Sequence, residues 1–141
     1  VHAVKSGDLD AVRRLIADLN RLYVGEPALH RYEFEPRGFS WLDCNDADHS
    51  TLSYARWADD RHAIVALNFT PVPRTGYRVG APHGGRYRVL LNSDSGHYAG
   101  SNLGNGVPLE AESQPWSGQS HSLLLTLPPL GAVILAPEAQ A

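Results

Sequence analysis

The side chains of this chain with acid–base potential are the carboxylates Asp43, Asp46, Asp48 and Asp94. A catalytic pair needs two carboxyl groups held about 5–10 Å apart across a substrate cleft. Nothing in the sequence requires such a cleft, and Asn45-Asp46-Ala47-Asp48 reads first as a hairpin loop between strands. A calcium loop over 46–57 fails, because its sixth position is Thr51 and its twelfth Trp57, where glycine and glutamate are needed. The seven histidines, His2, His30, His49, His62, His83, His97 and His121, include no His-x-His or His-x3-His pair of zinc spacing. Most of them read as exposed or loop residues. No Gly-x-Ser-x-Gly nucleophile turn occurs. Gly76-x3-Gly80 and Gly84-Gly85 sit at turns, so no phosphate cradle is implied. Cys44 is the one cysteine, which excludes an intramolecular disulfide and a thiolate metal site. It reads as a small buried side chain. Neither a metal nor a cofactor is expected.

Residues 92–105, Asn-Ser-Asp-Ser-Gly-His-Tyr-Ala-Gly-Ser-Asn-Leu-Gly-Asn, form the most informative stretch. A polar loop of this length between two strands is uncommon in a compact domain and usually functional or disordered. Asp94, Asn102 and Asn105 can bond their own backbone, and Gly96, Gly100 and Gly104 permit positive φ. An ordered, self-bonded loop is expected.

The elements that must position these residues follow from composition and period. At 141 residues the chain fits one ordinary domain with at most a small appendage. Its 13 Gly and 10 Pro predict many turns and favour β architecture. A net charge of −3 gives no electrostatic case for nucleic acid or an anionic membrane as partner. Leu123 to Leu135 is broken by Pro128, Pro129 and Gly131 and is too short to span a bilayer. With no charged and apolar leader pattern, a soluble, cytoplasmic protein is expected. The opening at Val1 suggests a non-ATG start or a piece of something longer.

Leu9, Val12, Ile16, Leu19 and Tyr23 recur at steps of three and four, which predicts an amphipathic helix over 9–23. Ser6 or Asp8 can cap it, and Gly25 with Pro27 stops it. Arg13, Arg14, Asp18 and Arg21 fall off the apolar face and should be solvated. Pro27 permits a short helical turn over 26–30. From Phe39 the period becomes two, with strands expected at 38–44, 51–58, 62–69, 76–80, 85–91, 108–112, 120–127 and 131–136. His62–Phe69 is apolar almost throughout, as in a central strand covered on both faces, and Asp59-Asp60 makes a hairpin turn. This pattern predicts an antiparallel β-sandwich preceded by one amphipathic helix. A lone helix gains little unless something covers its apolar face; that cover is either the β-domain or something outside the chain.

Several strings resemble the C-terminal region of the bacterial 1,4-α-glucan (glycogen) branching enzymes, in order and spacing. They are Asp18-Leu19-Asn20-Arg21-Leu22-Tyr23, Glu26-Pro27-Ala28-Leu29, Trp41-Leu42-Asp43-Cys44-Asn45-Asp46-Ala47-Asp48, Asn68-Phe69-Thr70-Pro71-Val72-Pro73-Arg74, the 92–105 loop, and Leu127-Pro128-Pro129-Leu130. The resemblance implies that residues 1–37 are a helical segment from the end of a (β/α)8 catalytic barrel. Residues 38–141 would then be the all-β C-terminal domain. The family's reaction breaks an α-1,4 glucan bond and rejoins the chain through an α-1,6 bond by a retaining, two-carboxylate mechanism. Those carboxylates sit on barrel loops, and no position here matches them. The resemblance thus implies no catalytic residue and no activity for this chain alone, and names the catalytic barrel as its partner. It fails over residues 1–14, and Ala99 stands where the family pattern has glycine.

Glucan contact is the sharper idea that remains. Aromatic rings stack on the apolar faces of glucose units while Asn, Asp and Arg bond the hydroxyls. Tyr98 and Trp116 are the candidates, and the alternative is that both rings pin their own loops. Trp41, alternating with Phe39, is expected in the core, and Trp57 stays undecided. The readings from other classes are a stand-alone α-glucan-binding module and an interaction domain using the exposed helix face.

Overall fold

A computed structural model describes residues 6–103 and 109–138. Val1–Lys5, Gly104 and Asn105 lie outside the described residues, as do the side chains of the expected caps Ser6 and Asp8. Helix α1 runs Ser6–Gly25 and ends at the glycine that precedes the Glu26-Pro27 stop. A 3-10 turn follows at Pro27–Leu29, with the Glu26 side chain accepting from Ala28 N.

Eight strands then appear close to where the period predicts them: β1 (Phe39–Asp43), β2 (Thr51–Ala58), β3 (Arg61–Asn68), β4 (Arg74–Ala81), β5 (Gly85–Asn92), β6 (Leu109–Ala111), β7 (His121–Leu127) and β8 (Gly131–Pro137). They form an antiparallel six-stranded sheet in the order β1-β2-β3-β8-β5-β6 and a two-stranded sheet β4-β7. Asp59 and Asp60 turn β2 into β3 in register, Ala58 opposite Arg61, with Asp59 at φ 57°. β3 is central and buried along most of its length, as its continuous apolar run requires.

Period-two alternation sorts the large sheet into two faces. Ala55, Ile64 and Leu135 face inward and meet Val79, Leu123, Leu125 and Leu127 of the small sheet, making the inter-sheet core. Tyr54, Val65, Ile134 and Leu91 lie opposite one another in neighbouring strands and face outward. Helix α1 sits on that outer face, with Leu15 and Leu22 against Val65, Leu91 and Ile134.

The side of the helix that is covered is not the strongest stripe. Ala11 is 3% exposed, whereas Leu9, Val12, Ile16, Leu19 and Tyr23 are 37–52% exposed. The covered face is offset by one residue, about 100° around the axis. Asp18 lies on its margin and is half-buried, contrary to the expectation that it is solvated.

Two further expectations are corrected. Trp41 is 52% exposed and Phe39 37% exposed, so neither joins the inter-sheet core. Strand alternation, with a register irregularity between Trp41 and Asp43, turns Leu42 inward and both rings outward. Cys44 lies just past the end of β1 and is exposed. Trp57 packs against the inter-sheet core and donates from Nε1 to Ser40 Oγ at 2.9 Å.

Candidate functional site

The long loop is held by its own polar groups. Asn92 Oδ1 accepts from Asp94 N at 2.9 Å, and Asn92 Nδ2 donates to Leu103 O at 2.6 Å. The Asp94 carboxylate accepts from Ser101 N at 3.1 Å, Ser101 Oγ at 2.6 Å and Leu103 N at 3.1 Å. Partial burial pushes the Asp94 carboxyl up, but these bonds together outweigh it and leave the group below the usual carboxylate range. The Asn102 side chain closes the loop by accepting from Gly96 N at 3.1 Å. Asp94 is therefore spent on loop geometry.

The glycines act differently from the expectation. Neither Gly96 nor Gly100 has positive φ; Ala99 (62°) and Asn102 (65°) take it. Gly100 is required by close approach, because a Cβ there would lie 2.2 Å from Asp94 O. Next to this loop, Asn68 Nδ2 donates to Val72 O and Pro128 O, joining the Asn68–Arg74 and Leu127–Leu130 strings.

Tyr98 points from the loop toward the helix. Its ring packs beside Val65, Leu91 and Ile134, and its hydroxyl donates to Asp18 Oδ2 at 2.6 Å. Burial first, and then the Asp18 carboxylate, pushes the phenol up to about 12. Arg14 Nε adds a bond to His97 O at 2.9 Å.

Trp116 stands elsewhere, on a tight turn between β6 and β7. Trp116 and Gln119 exchange both backbone bonds, at 3.1 and 2.9 Å, and the central Ser117 and Gly118 have φ of 49° and 78°. This is the geometry of a type I′ hairpin. The indole is 42% exposed and overlooks a cleft of about 670 Å³ shared by Asp43, Asp46, Arg74, Tyr77 and Arg78. Arg78 Cζ lies 5.8 Å from the ring centroid, within cation–π reach. Within the cleft Asp46 accepts from the Tyr77 hydroxyl and from His49 Nδ1, the latter at 2.7 Å. The Tyr77 bond is the chief cause of an Asp46 carboxyl below the usual range. Burial, then Asp46, pushes Tyr77 up to about 12. Tyr98 and Trp116 line different clefts and are not brought together.

Two features escaped sequence reasoning. His62 is 1% exposed, and its Nε2 lies 3.0 Å from Tyr87 Oη. Tyr87 donates its hydroxyl proton to His83 O, so His62 bonds it as the Nε2–H tautomer, leaving Nδ1 buried without a partner. Its inward position on a central strand was the available signal. The second is an apolar face. Phe39 stacks on Tyr54 with centroids 5.1 Å apart, and Trp41 meets Phe39 edge-on at 5.0 Å. Tyr54 also shares a cleft with Leu19 and Tyr23 of α1. The uncovered helix stripe and the aromatic trio thus make one exposed surface. Among the described residues no group of three or more His, Cys, Asp or Glu could hold a metal ion, and no helix is long and apolar enough to cross a membrane.

Residues 41–138 match the family model described as "Alpha amylase, C-terminal all-beta domain". The 1,4-alpha-glucan branching enzyme GlgB of Thiobacillus denitrificans is 55% identical over 130 residues, covering 91% of this chain and 18% of the relative. The GlgB of Rubrobacter xylanophilus is 49% identical over 139 residues, covering 97% of this chain and 19% of the relative. The chain therefore spans about a fifth of the length of these relatives. In structure it is similar to the alpha-amylase from H. orenii, with a TM-score of 0.51 at 17% identity over 95% of this chain and 21% of that one. It is also similar to the cyclomaltodextrin glucanotransferase CldA, with a TM-score of 0.56 at 20% identity over 90% of this chain and 22% of that one.

Proposed function

Because the chain belongs to the family of the alpha-amylase C-terminal all-beta domain, we propose that it serves as the accessory β-domain of a cytoplasmic 1,4-alpha-glucan branching enzyme, seated against that enzyme's catalytic barrel. In this reading residues 1–37 supply the segment that leaves the barrel, and residues 38–141 the β-domain. The chain itself contributes support and not bond chemistry. Its best-placed carboxylates, Asp46 and Asp94, are consumed by Tyr77 and His49 and by the 92–103 loop. Glucan contact falls to the aromatic candidates, with Trp116 offering free ring surface and Tyr98 holding its loop to the helix.

The observation that carries this reading is the exposed apolar surface on the helix side of the sandwich. Val12, Ile16, Leu19 and Tyr23 on α1, with Phe39 and Trp41 on β1, are each 37–52% exposed. A contiguous patch of this kind marks an interface. Its cover must be large and apolar; the chain spans about a fifth of its relatives' length, and this reading assigns the cover to a catalytic barrel in the remainder.

A chimera tests the reading. The region of the Thiobacillus denitrificans enzyme that matches this chain is replaced by residues 1–141, and branching of amylose is followed by iodine staining and chain-length analysis. The chimera should branch, the truncated relative should not, and Ile16→Asp in the chimera should weaken activity or stability. A truncated relative as active as the chimera overturns the reading, and so does turnover by the 141-residue chain alone.

A further inference from the structure

A second apolar surface lies at the end of the sandwich that carries the long loop, and we infer that Leu130, with Phe69 and Val72, anchors the catalytic barrel there. The identity of the partner rests on the branching-enzyme reading, whereas the surface rests on its own geometry.

Val65 and Leu67 of β3 belong to the outward row that packs against Leu15 and Leu22 of α1. Phe69 is the next residue of that row. The ladder extends to it, because Phe69 N donates to Ser50 O at 3.1 Å, but α1 leaves it 57% exposed. Leu130 N donates to Thr70 O at 2.7 Å, which sets the turn between β7 and β8 beside Phe69. Leu130 is 69% exposed and Val72 50%. The long loop joins this turn to the helix. Ser93 Oγ accepts from Ala132 N at 2.8 Å, and Tyr98 and His97 of the same loop bond Asp18 and Arg14 of α1. The patch therefore borders the helix side of the sandwich, where the barrel is placed.

Leu130 is also strained. Its φ of 47° lies in the left-handed region, which a residue with a Cβ occupies at a cost. The glycine of this turn, Gly131, stands one residue too late to relieve it. Gly131 is held to its own place by close approach, since a Cβ there would lie 2.8 Å from Pro128 Cγ. Such a conformation persists only where its surroundings fix it. Asn68, 2% exposed, does that here: its Nδ2 donates to Val72 O at 2.8 Å and to Pro128 O at 3.1 Å, and its Oδ1 accepts from Thr70 N at 3.0 Å. A strained residue whose side chain gains little from its own domain is explained by a contact outside it. The occupant is protein and not sugar, because the polar side chains at the root of the patch are already used, Thr70 Oγ1 donating to Asn68 Oδ1 at 2.8 Å. A rigid cluster of exposed apolar side chains calls for an apolar partner face.

Leu130→Gly separates the strain from the contact. In the 141-residue chain it relieves the backbone and should raise the urea midpoint. In the chimera with the Thiobacillus denitrificans enzyme it removes the anchor, and the half-life of branching activity at the onset of thermal inactivation should fall about tenfold. Phe69→Ser should shorten that half-life too, whereas Leu130→Met, which keeps the apolar volume, should preserve most of it. Half-lives unchanged by both Leu130→Gly and Phe69→Ser, or shortened equally by Leu130→Gly and Leu130→Met, would overturn the anchor. A lower urea midpoint for Leu130→Gly would overturn it as well, by showing that the side chain serves its own domain. So would self-association of the 141-residue chain in sedimentation that Leu130→Gly abolishes while the chimera is unaffected, which assigns the patch to a second copy. If Ile16→Asp weakens the chimera and the Leu130 and Phe69 variants do not, this proposal falls and the barrel-supporting role stands. A chimera indifferent to Ile16→Asp as well removes both.

Discussion

Tyr98 Oη donates to Asp18 Oδ2 at 2.6 Å, linking residues 80 apart in sequence and fastening the long loop to helix α1. The loop is rigid because Asp94 and Asn102 organise it from within, and Tyr98 turns that rigidity outward. Tyr98→Phe deletes the bond while keeping the ring among Val65, Leu91 and Ile134. The expected loss is about 1 kcal/mol, or about 2–4 °C in Tm for a chain of this size. Amide exchange should accelerate in α1 before it does in β3. Equal exchange in both variants would show that the bond does not hold the helix.

Ala99 and Gly100 invite opposite substitutions. Ala99 occupies φ 62°, a region that favours glycine, so Ala99→Gly relieves strain and should stabilise the loop by about 0.5–1 kcal/mol. Gly100→Ala forces a Cβ into Asp94 O and should destabilise the fold by more than Ala99→Gly gains. Urea denaturation midpoints for the two variants should move in opposite directions.

His62 makes stability depend on acid. Burial chiefly, with the His83 charge second, lowers its pKa to about 4, against an ordinary value of 6.5. Below pH 6.5 the unfolded chain therefore takes up a proton that the folded chain refuses. Stability from this residue is present in full above pH 6.5 and declines as the pH falls toward 4. The decline approaches about 3 kcal/mol over that window. Comparing wild type with His62→Gln in urea at pH 7.5 and pH 5 isolates the effect from that of the carboxylates. The variant should lose markedly less stability on acidification than the wild type.

Much of this was legible in the sequence, and where it failed the reason is physical. The eight strands follow from alternation and turn chemistry, and β6 is the one whose expected range, 108–112, starts at a residue outside those described. Alternation says which residues share a face but not which face is inside, so it permits Trp41 in the core although its neighbour Leu42 fills that place. Helical spacing likewise identified the strongest apolar stripe, yet the sheet takes the adjacent one, with Ala11, Leu15 and Leu22. Residue type alone singles out Tyr98 and Trp116. Their separation into different clefts depends on which loops neighbour which strands, and no local pattern encodes that.

Glu26 is the joint between the helix and the sandwich. It is 3% exposed, accepts from Ala28 N, and receives Arg61 Nε at 2.7 Å and Nη2 at 2.8 Å. Burial pushes its pKa up, but the Arg61 and Ala28 bonds, with the Arg61 and Arg88 charges, outweigh that and leave it below the ordinary value. Its contribution is therefore present above the unfolded-state pKa and lost as the pH falls through the folded one. Removing one partner strands the other. Arg61→Leu leaves a buried carboxylate without its cation and should cost about 2–3 kcal/mol, less than a fully buried pair because Arg61 is half exposed. Replacing both by leucine removes the desolvation cost together with the attraction, so Glu26→Leu/Arg61→Leu should be more stable than Arg61→Leu alone. Urea midpoints of the two single variants and the double variant decide it. Strict additivity would mean that Glu26 and Arg61 act independently, and the joint would then rest on the packing of Ala28 against Ala58 and Ala63.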